Sequence, residues 1–185
     1  MRLVTHEKIL SEKEYIEYEL QSTIKHEYVN GKLIDMPGET DLHNHLALNF
    51  CILLKALLKG QGFSYFVEGV KVKLPGQSKY YYPDVFITKE PLLNGTIYIK
   101  EAPELIVEVL SDSTRKYDTV DKFINYQQFD SLQYYLLVEP ETVLISVFSR
   151  IEDEEWNLDT YSKSTDIIDL PKLGIRFTAG EVYEL

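Results

Sequence analysis

The run from Leu105 to Leu110, which reads Leu-Ile-Val-Glu-Val-Leu, restricts the fold more than any other segment of the chain. A short apolar run of this kind is typical of a strand that is buried on both faces. Glu108 lies inside it, and removing a carboxylate from water costs several kcal/mol unless a cation, a metal or a substrate compensates the charge. We therefore expect a buried strand that carries a partnered glutamate.

A second acidic residue stands at the start of a second apolar run, where Pro83-Asp84 precedes residues 85–87. Side chains alternate between the two faces of a strand, so Glu108 shares a face with Ile106 and Leu110. If the two strands are neighbours, they lie about 4.8 Å apart, and their carboxylates could bridge one hard cation such as Mg²⁺. An ion pair between Glu108 and a buried Lys or Arg is the alternative.

Length and composition indicate one globular domain over residues 1–185, with 44% hydrophobic and 26% charged residues. No apolar run approaches the ~20 residues of a membrane span, and the first residues lack the apolar region of a signal peptide. With one cysteine, Cys51, the chain is expected in the cytoplasm. Nucleic-acid-binding domains are usually basic, so the net charge of −11 counts against nucleic acid without excluding a local basic face.

Periodicity and turn signals predict an α/β (α+β) architecture, in which a mixed sheet is flanked by helices. The predicted elements are a helix at 12–21, a hairpin at 26–34, a helix at 41–59, strands at 64–74, 80–88 and 104–110, a helix at 118–129, a strand at 134–138, and an antiparallel pair at 142–149 and 155–161. Asn30-Gly31 is a strong hairpin signal, and Asp41 is expected to cap the second helix. The helix at 118–129 lies between two apolar strands, which favours a right-handed parallel crossover.

Lys122 is the third candidate for the site. It lies in the helix that Asp118 is expected to cap, close to the carboxyl end of the strand that carries Glu108, where its ammonium could hold a water or a phosphate oxygen. A solvated lysine paired with Asp118 or Asp121 is the alternative. The apolar side chains of this helix are expected to face inward: Val120, Phe123 and Ile124.

Further candidates are acidic, basic and imidazole side chains outside these segments. Glu27 begins the hairpin, and His43 stands at the start of the apolar face of the 41–59 helix, where a structural histidine is the alternative. Lys71, Lys73 and Arg115 could form a basic rim that, with nearby tyrosines, suits a nucleic-acid strand. A solvated strand face is the alternative for these lysines.

Several functions are poorly supported because their motifs are absent. The sequence contains no P-loop, G-x-G-x-x-G, G-x-S-x-G, H-E-x-x-H or C-x-x-C motif. Cofactor redox chemistry and hydrolysis by a catalytic triad are therefore disfavoured. A glycosidase that uses two carboxylates is a weaker alternative, because it gives Lys122 no necessary role.

The motifs in this order resemble the PD-(D/E)XK nuclease superfamily and, more narrowly, the Uma-type family of candidate restriction endonucleases, long treated as a domain of unknown function. The segments that carry the resemblance are 26–32, 43–44, 83–85, 107–111, 113–118, 122–126 and 134–140. The resemblance implies a restriction endonuclease-like core of helix, three strands, helix and strand. An N-terminal helix and hairpin and a C-terminal antiparallel extension are added to this core.

The resemblance also implies an activity, that of a Mg²⁺-dependent endonuclease that hydrolyses phosphodiester bonds, with DNA as the expected substrate. Mn²⁺ is expected to substitute for Mg²⁺, no membrane is involved, and a homodimer would suit the cutting of two strands. Asp84, Glu108 and the Val109 carbonyl would bind the metal. The alternative is a catalytically inactive module that keeps the fold for binding or assembly.

The chain departs from the superfamily pattern at one position. The superfamily lysine stands two residues after the acidic residue of the strand, and Leu110 occupies that position here. The family resemblance implies that Lys122 replaces it from the following helix. Glu27 matches an acidic position near the family's site, and His43 matches a recurrent histidine.

Overall fold

The computed structural model describes residues 9–36, 38–92, 98–111, 115, 117–152 and 155–184. Helices within these residues are short, apart from the second. They are α1 (Glu12–Glu19), α2 (Asp41–Leu57), a π-helical segment (Tyr117–Lys122) that continues directly into α3 (Phe123–Tyr126), and α4 (Ala179–Tyr183).

The strands alternate with turns along most of the described chain. They are β1 (His26–Val29), β2 (Lys32–Asp35), β3 (Ser64–Val67), β4 (Lys71–Lys73), β5 (Lys79–Tyr81), β6 (Val85–Thr88), β7 (Ile99–Lys100), β8 (Pro103–Val109), β9 (Tyr134–Val138), β10 (Ile145–Arg150), β11 (Trp156–Tyr161), β12 (Ile167–Leu170) and β13 (Ile175–Thr178). The last two pair as an antiparallel hairpin that was not predicted.

A six-stranded mixed sheet forms the centre of the fold, in the order β11-β10-β9-β8-β6-β3. Strands β3, β6 and β8 are antiparallel neighbours, and β9 pairs with β8 in parallel after the crossover through the π-helical segment and α3. The predicted core of helix, three strands, helix and strand is therefore confirmed. The antiparallel extension by β10 and β11 is confirmed as well.

A second sheet, in the order β2-β1-β5-β4-β7, was not predicted. The predictions of single strands at 64–74 and 80–88 are wrong, because each segment divides between the two sheets. The first breaks at Glu68, whose positive φ of 49° turns the chain. The second breaks at Pro83, which has no N–H for a ladder hydrogen bond. The hairpin at Asn30-Gly31 is confirmed, with φ of 49° and 93°, both positive as a type I′ turn requires.

The two faces of β8 pack into different cores. Leu105, Val107 and Val109 contribute to a core shared with α2, whereas Ile106 and Leu110 contribute to a core shared with the second sheet. The predicted alternation of side chains in this strand is therefore confirmed. Glu108 projects toward the second core and is 1% exposed.

The N-cap of helix α2 lies one residue before the predicted cap. Thr40 has an extended backbone, and its hydroxyl accepts a hydrogen bond from the N–H of His43, so Asp41 lies in the first turn and is not the cap. This start places His43 on the inner side of the first turn, where it is 3% exposed.

The helix predicted at 118–129 differs from expectation in both form and orientation. Its first part is π-helical, and Asp118 lies inside it rather than at a cap. A π-helix closes hydrogen bonds five residues apart, so its turn is wider than an α-turn and a different set of residues faces inward. Asp118, Lys122 and Tyr126 are buried, whereas Val120 and Ile124 are 44% and 56% exposed and were wrongly predicted to face inward.

Candidate active site

Asp84 and Glu108 are held side by side by the pairing of β6 with β8. Val85 lies opposite Val107, which places Asp84, just before β6, next to Glu108. The backbone N–H of Asp84 donates to Glu108 Oε2 over 3.3 Å, and the N–H of Val109 donates to Asp84 Oδ2 over 2.7 Å. Each carboxylate is thus fixed by the backbone of the neighbouring segment.

Lys122 is the cation at this site. Its Nζ lies 3.2 Å from Glu108 Oε1, 3.0 Å from Glu27 Oε1 and 3.1 Å from Asp118 Oδ1. All four side chains are at least 94% buried, so solvent screens the interactions weakly. The π-helical segment therefore brings Lys122 to the strand whose own sequence has Leu110 in the usual lysine position.

Two further donors orient the carboxylates. The hydroxyl of Tyr126, a residue that is fully buried, donates to Glu108 Oε1 over 3.0 Å. The backbone N–H of Tyr82 donates to Glu27 Oε1 over 3.3 Å. Hydrogen bonds of this kind to charged groups are stronger than bonds between neutral groups, so they restrict the carboxylates to one arrangement.

His43 approaches the site from α2. Its Nε2 lies 3.1 Å from Asp84 Oδ2 and 3.8 Å from Glu39 Oε2. Burial opposes the imidazolium, but the hydrogen bond and charge of Asp84, followed by the charges of Glu39 and Glu68, raise the pKa of His43. The raised pKa favours the positively charged form of His43 beside the Asp84 carboxylate.

The buried charged groups of the site change one another's pKa values. Burial raises the pKa of Glu108 well above its usual value, and the charges of Asp84, Asp118 and Glu27 add to this effect while Lys122 opposes it. Burial also disfavours the ammonium of Lys122, yet Asp118, Glu108 and Glu27 outweigh it and raise the lysine's pKa well above its usual value. The site is rich in negative charge and retains its one ammonium in charged form.

The sequence identified six residues that the fold brings together: Glu27, His43, Asp84, Glu108, Val109 and Lys122. The predicted basic rim does not form as one group. Lys73 pairs with Glu12 at 2.9 Å, and Arg115 pairs with Glu139. Lys71 is buried against two tyrosine rings instead of lying on a solvated face.

Asp118 and Tyr126 were not predicted as site residues. Asp118 was assigned to a helix cap or to a surface ion pair, but the pair that it forms with Lys122 is buried. Both residues stand four positions from Lys122, so they share its helix face. This spacing was the sequence signal that could have identified Asp118 and Tyr126 as site residues. The same spacing is common on exposed helix faces, and the sequence did not show that this face is buried.

The donor set of Asp84 and Glu108 fits a hard divalent cation. Mg²⁺ is commonly held by one or two carboxylates together with waters. The carboxylates of Asp84 and Glu108 are adjacent and buried, and a cation would relieve the repulsion between their charges. Across the described residues, no group of three or more His, Cys, Asp or Glu side chains is arranged to hold a metal ion by itself. A cation here would therefore rely on two carboxylates and on oxygens from outside the side chains.

Known proteins resemble this chain in sequence and in fold. Two uncharacterized proteins of Synechocystis sp., slr1290 and sll1609, are 31% and 32% identical to the chain over 174 and 160 residues, covering 94% and 85% of it and 91% and 90% of their own lengths. A crystal structure described as "a putative nuclease belonging to DUF820", from Anabaena variabilis, shares the fold, with a TM-score of 0.75 at 16% identity over 94% of this chain and 97% of the other.

Two further findings bear on the class of protein. In the part of the chain that the structure describes, no helix is both long enough and apolar enough to cross a membrane. The family model that matches residues 12–179 is described as "Putative restriction endonuclease". This match spans most of the chain, and the protein therefore belongs to the Uma2 family.

Proposed function

We propose that this protein is a Mg²⁺-dependent endonuclease that hydrolyses phosphodiester bonds of nucleic acid, with DNA as the substrate. The observation that carries the proposal is the ammonium of Lys122, 3.2 Å from the carboxylate of Glu108, which itself lies next to Asp84. An acidic pair on neighbouring segments beside a lysine is the arrangement that the PD-(D/E)XK resemblance implies. Membership of the Uma2 family supports the same reaction class.

Each residue has a separate role in this proposal. Asp84 and Glu108 would hold the ion, with the Val109 carbonyl as a further oxygen ligand. Bound Mg²⁺ would polarise the scissile phosphate and lower the pKa of a water nucleophile. Lys122 supplies a fixed positive charge that orients the water or stabilises the charge developing on the phosphate.

Glu27 and His43 hold Lys122 and Asp84 in position. Glu27 anchors Lys122 at 3.0 Å and offers a second acidic group for a water. His43 keeps the Asp84 carboxylate in one orientation by its contact at 3.1 Å. Preorganised charges of this kind act without reorganisation at the moment of reaction.

A cleavage assay on plasmid DNA and on single-stranded oligonucleotides tests the proposal, with Mg²⁺, Mn²⁺ or a chelator present. We expect metal-dependent cleavage that falls by a factor of about 10² or more in Glu108→Gln and in Lys122→Met. Glu104→Gln is the matched control because Glu104 lies on the same strand but pairs with Lys89, whose side chain is 59% exposed. Cleavage in the chelator, or full activity of Glu108→Gln, would overturn the assignment.

Duplex cleavage also raises the question of the assembled state. The described part of one copy carries one such site, so we propose that a homodimer makes the double-strand cut. Analytical ultracentrifugation with a cleavage time course tests this: a dimer should produce linear plasmid directly, whereas a monomer should accumulate the nicked form first.

The internal pairing of the carboxylates favours a second candidate function, that of an inactive module for binding or assembly. Lys122 and His43 already neutralise part of the charge on Glu108 and Asp84 without an ion. Calorimetric titration separates the two candidates. Heat from Mg²⁺ or Mn²⁺ that disappears in Asp84→Asn supports the endonuclease, whereas no heat together with no cleavage supports the module.

A further inference from the structure

Lys71 is a buried cation that forms no ion pair with any described residue. It lies on β4 and is 6% exposed. Within the described ranges, no carboxylate oxygen lies within salt-bridge distance of its Nζ, and the ammonium makes no hydrogen bond. Its neighbours are the rings of Tyr82 and Tyr15, whose centres lie 5.0 and 5.7 Å from Nζ.

Two other lysines of this sheet have oxygen partners. Lys73, two residues along the same strand and on the same face, lies 2.9 Å from Glu12, and Lys100 donates to the carbonyl of Pro91. Buried charges in proteins are usually paired in this manner. Lys71 differs from both, and its three N–H donors are available to a group from outside the chain.

Glu19, the acidic residue whose charge acts on Lys71, already accepts hydrogen bonds from other groups. Glu19 accepts hydrogen bonds from the Tyr82 hydroxyl at 2.8 Å and from the backbone N–H of His26 at 2.9 Å. Burial lowers the pKa of Lys71, and the charge of Glu19 opposes this only in part. An anion beside the ammonium would restore the interactions that burial removes.

Lys25 brings a second ammonium to the same ring. Its Nζ lies 5.9 Å from the centre of the Tyr82 ring and 3.9 Å from Glu68 Oε2, and its side chain is 44% exposed. Lys25 also donates to the carbonyl of Glu68 over 2.6 Å, and the N–H of Glu68 donates to the carbonyl of Asp84 over 3.0 Å. Lys25 is therefore linked to Asp84 of the candidate active site through the backbone of Glu68, and Lys71 shares the ring of Tyr82 with Lys25.

We propose that Lys71 and Lys25 bind a phosphate group of the nucleic-acid strand that flanks the phosphate cleaved at Asp84 and Glu108. This inference rests on the proposed endonuclease function, and it assigns the substrate strand a path along Tyr82 toward Asp84. Lysine suits the role because it recognises phosphate as a compact point charge. The site would give affinity without sequence preference, because phosphate contacts position a strand and do not read its bases.

Binding of a fluorescein-labelled oligonucleotide to the Glu108→Gln protein tests the inference without cleavage. Anisotropy titrations over a salt series should show several-fold weaker binding in Lys71→Met, and the slope of log affinity against log salt should fall by about 0.7–0.9 for each lost phosphate contact. Lys25→Met should behave in the same direction, and Lys71→Arg should retain most of the affinity. Lys73→Met is the matched control and should keep both affinity and slope.

The outcomes separate this inference from the endonuclease proposal. Binding to the parent protein that Lys71→Met and Lys25→Met leave unchanged in both affinity and salt slope overturns the phosphate contact alone. Failure of the parent to bind any oligonucleotide, together with the absence of metal-dependent cleavage by the wild type, overturns both. Lys25 is surface-exposed, so its substitution reports on binding even if Lys71→Met fails to fold.

Discussion

The Nζ of Lys122 lies 3.2 Å from Oε1 of Glu108, in a place where neither side chain is more than 6% exposed. Glu27 and Asp118 are also within 3.1 Å of the same nitrogen. One ammonium therefore compensates three buried carboxylates. The stability of the fold and the proposed chemistry both depend on this arrangement, which makes it the first target for mutation.

Removing the ammonium should be costly. Lys122→Met leaves Glu27, Glu108 and Asp118 without their common cation, and breaking a buried ion pair from one side typically costs about 3–5 kcal/mol. We expect a loss of this size in the free energy of unfolding, measured by urea denaturation. Lys13→Met is the control, because the pair of Lys13 with Glu17 is exposed and should change stability by less than about 1 kcal/mol.

A double substitution checks the cause of that loss. If the cost comes from uncompensated carboxylates, Glu108→Gln together with Lys122→Met should be less destabilising than the sum of the single changes, because the two residues are in direct contact. Additive effects would contradict the proposed coupling.

The hydroxyl of Tyr126 is the second target. Tyr126→Phe removes the bond to Glu108 at 3.0 Å and leaves the buried ring in place. Hydrogen bonds to charged groups contribute about 1.5–3 kcal/mol, so we expect a loss in that range in the free energy of unfolding. Tyr18→Phe should change stability by less than about 0.5 kcal/mol because Tyr18 is 44% exposed. Equal effects of the two substitutions would rule out the assigned role of the Tyr126 hydroxyl.

The acidic pair could be predicted because its signals are local. Alternation along β8 is a property of any strand, so an acidic residue in that run had to share a face with Ile106 and Leu110. Pro83 and the following apolar residues marked the neighbouring segment. The partner of Glu108 was harder to predict, since Lys122 reaches it from another element.

The remaining structure depends on contacts between distant parts of the chain. Nothing near Lys122 in the sequence specifies a π-helical turn, which is set by the packing of Asp118 and Tyr126 onto the sheet. The second sheet has the same origin: β7 has two residues and pairs with β4 in parallel. Breaks at Glu68 and Pro83 had local causes, but the continuous apolar alternation around them favoured longer strands.

The hairpin turn gives a prediction about backbone strain. Gly31 has φ of +93°, and a Cβ at this position would lie 2.7 Å from Cγ2 of Ile9. An L-residue in left-handed backbone costs about 1–2 kcal/mol, so Gly31→Ala should lower the unfolding free energy by at least this amount in urea denaturation. Gly38→Ala is the control because no atom lies within 4 Å of its added Cβ. A similar response at both glycines would show that the turn tolerates the strain.

Acid stability should depend on Glu12, which joins α1 to the second sheet. Hydrogen bonds from Tyr80 at 2.6 Å and Ser78 at 2.7 Å, followed by that of Lys73, lower the pKa of Glu12 from 4.5 to about 2. The unfolded chain takes up this proton at the higher pH, so the stabilisation is complete above pH 4.5 and is lost as the pH falls toward 2. Wild type should therefore be more stable than Glu12→Gln at neutral pH.

Urea midpoints of the two proteins, measured from about pH 7 to about pH 2.5, check this dependence. The difference between them should be constant down to about pH 5 and should then shrink steadily. Tyr80→Phe removes the largest cause of the shift and should weaken the pH dependence while keeping the carboxylate. A difference that stays constant across the whole range would mean that Glu12 titrates alike in the folded and unfolded chain, and the anchoring of α1 would then have to come from the packing of Tyr15 on Tyr28 and Tyr80.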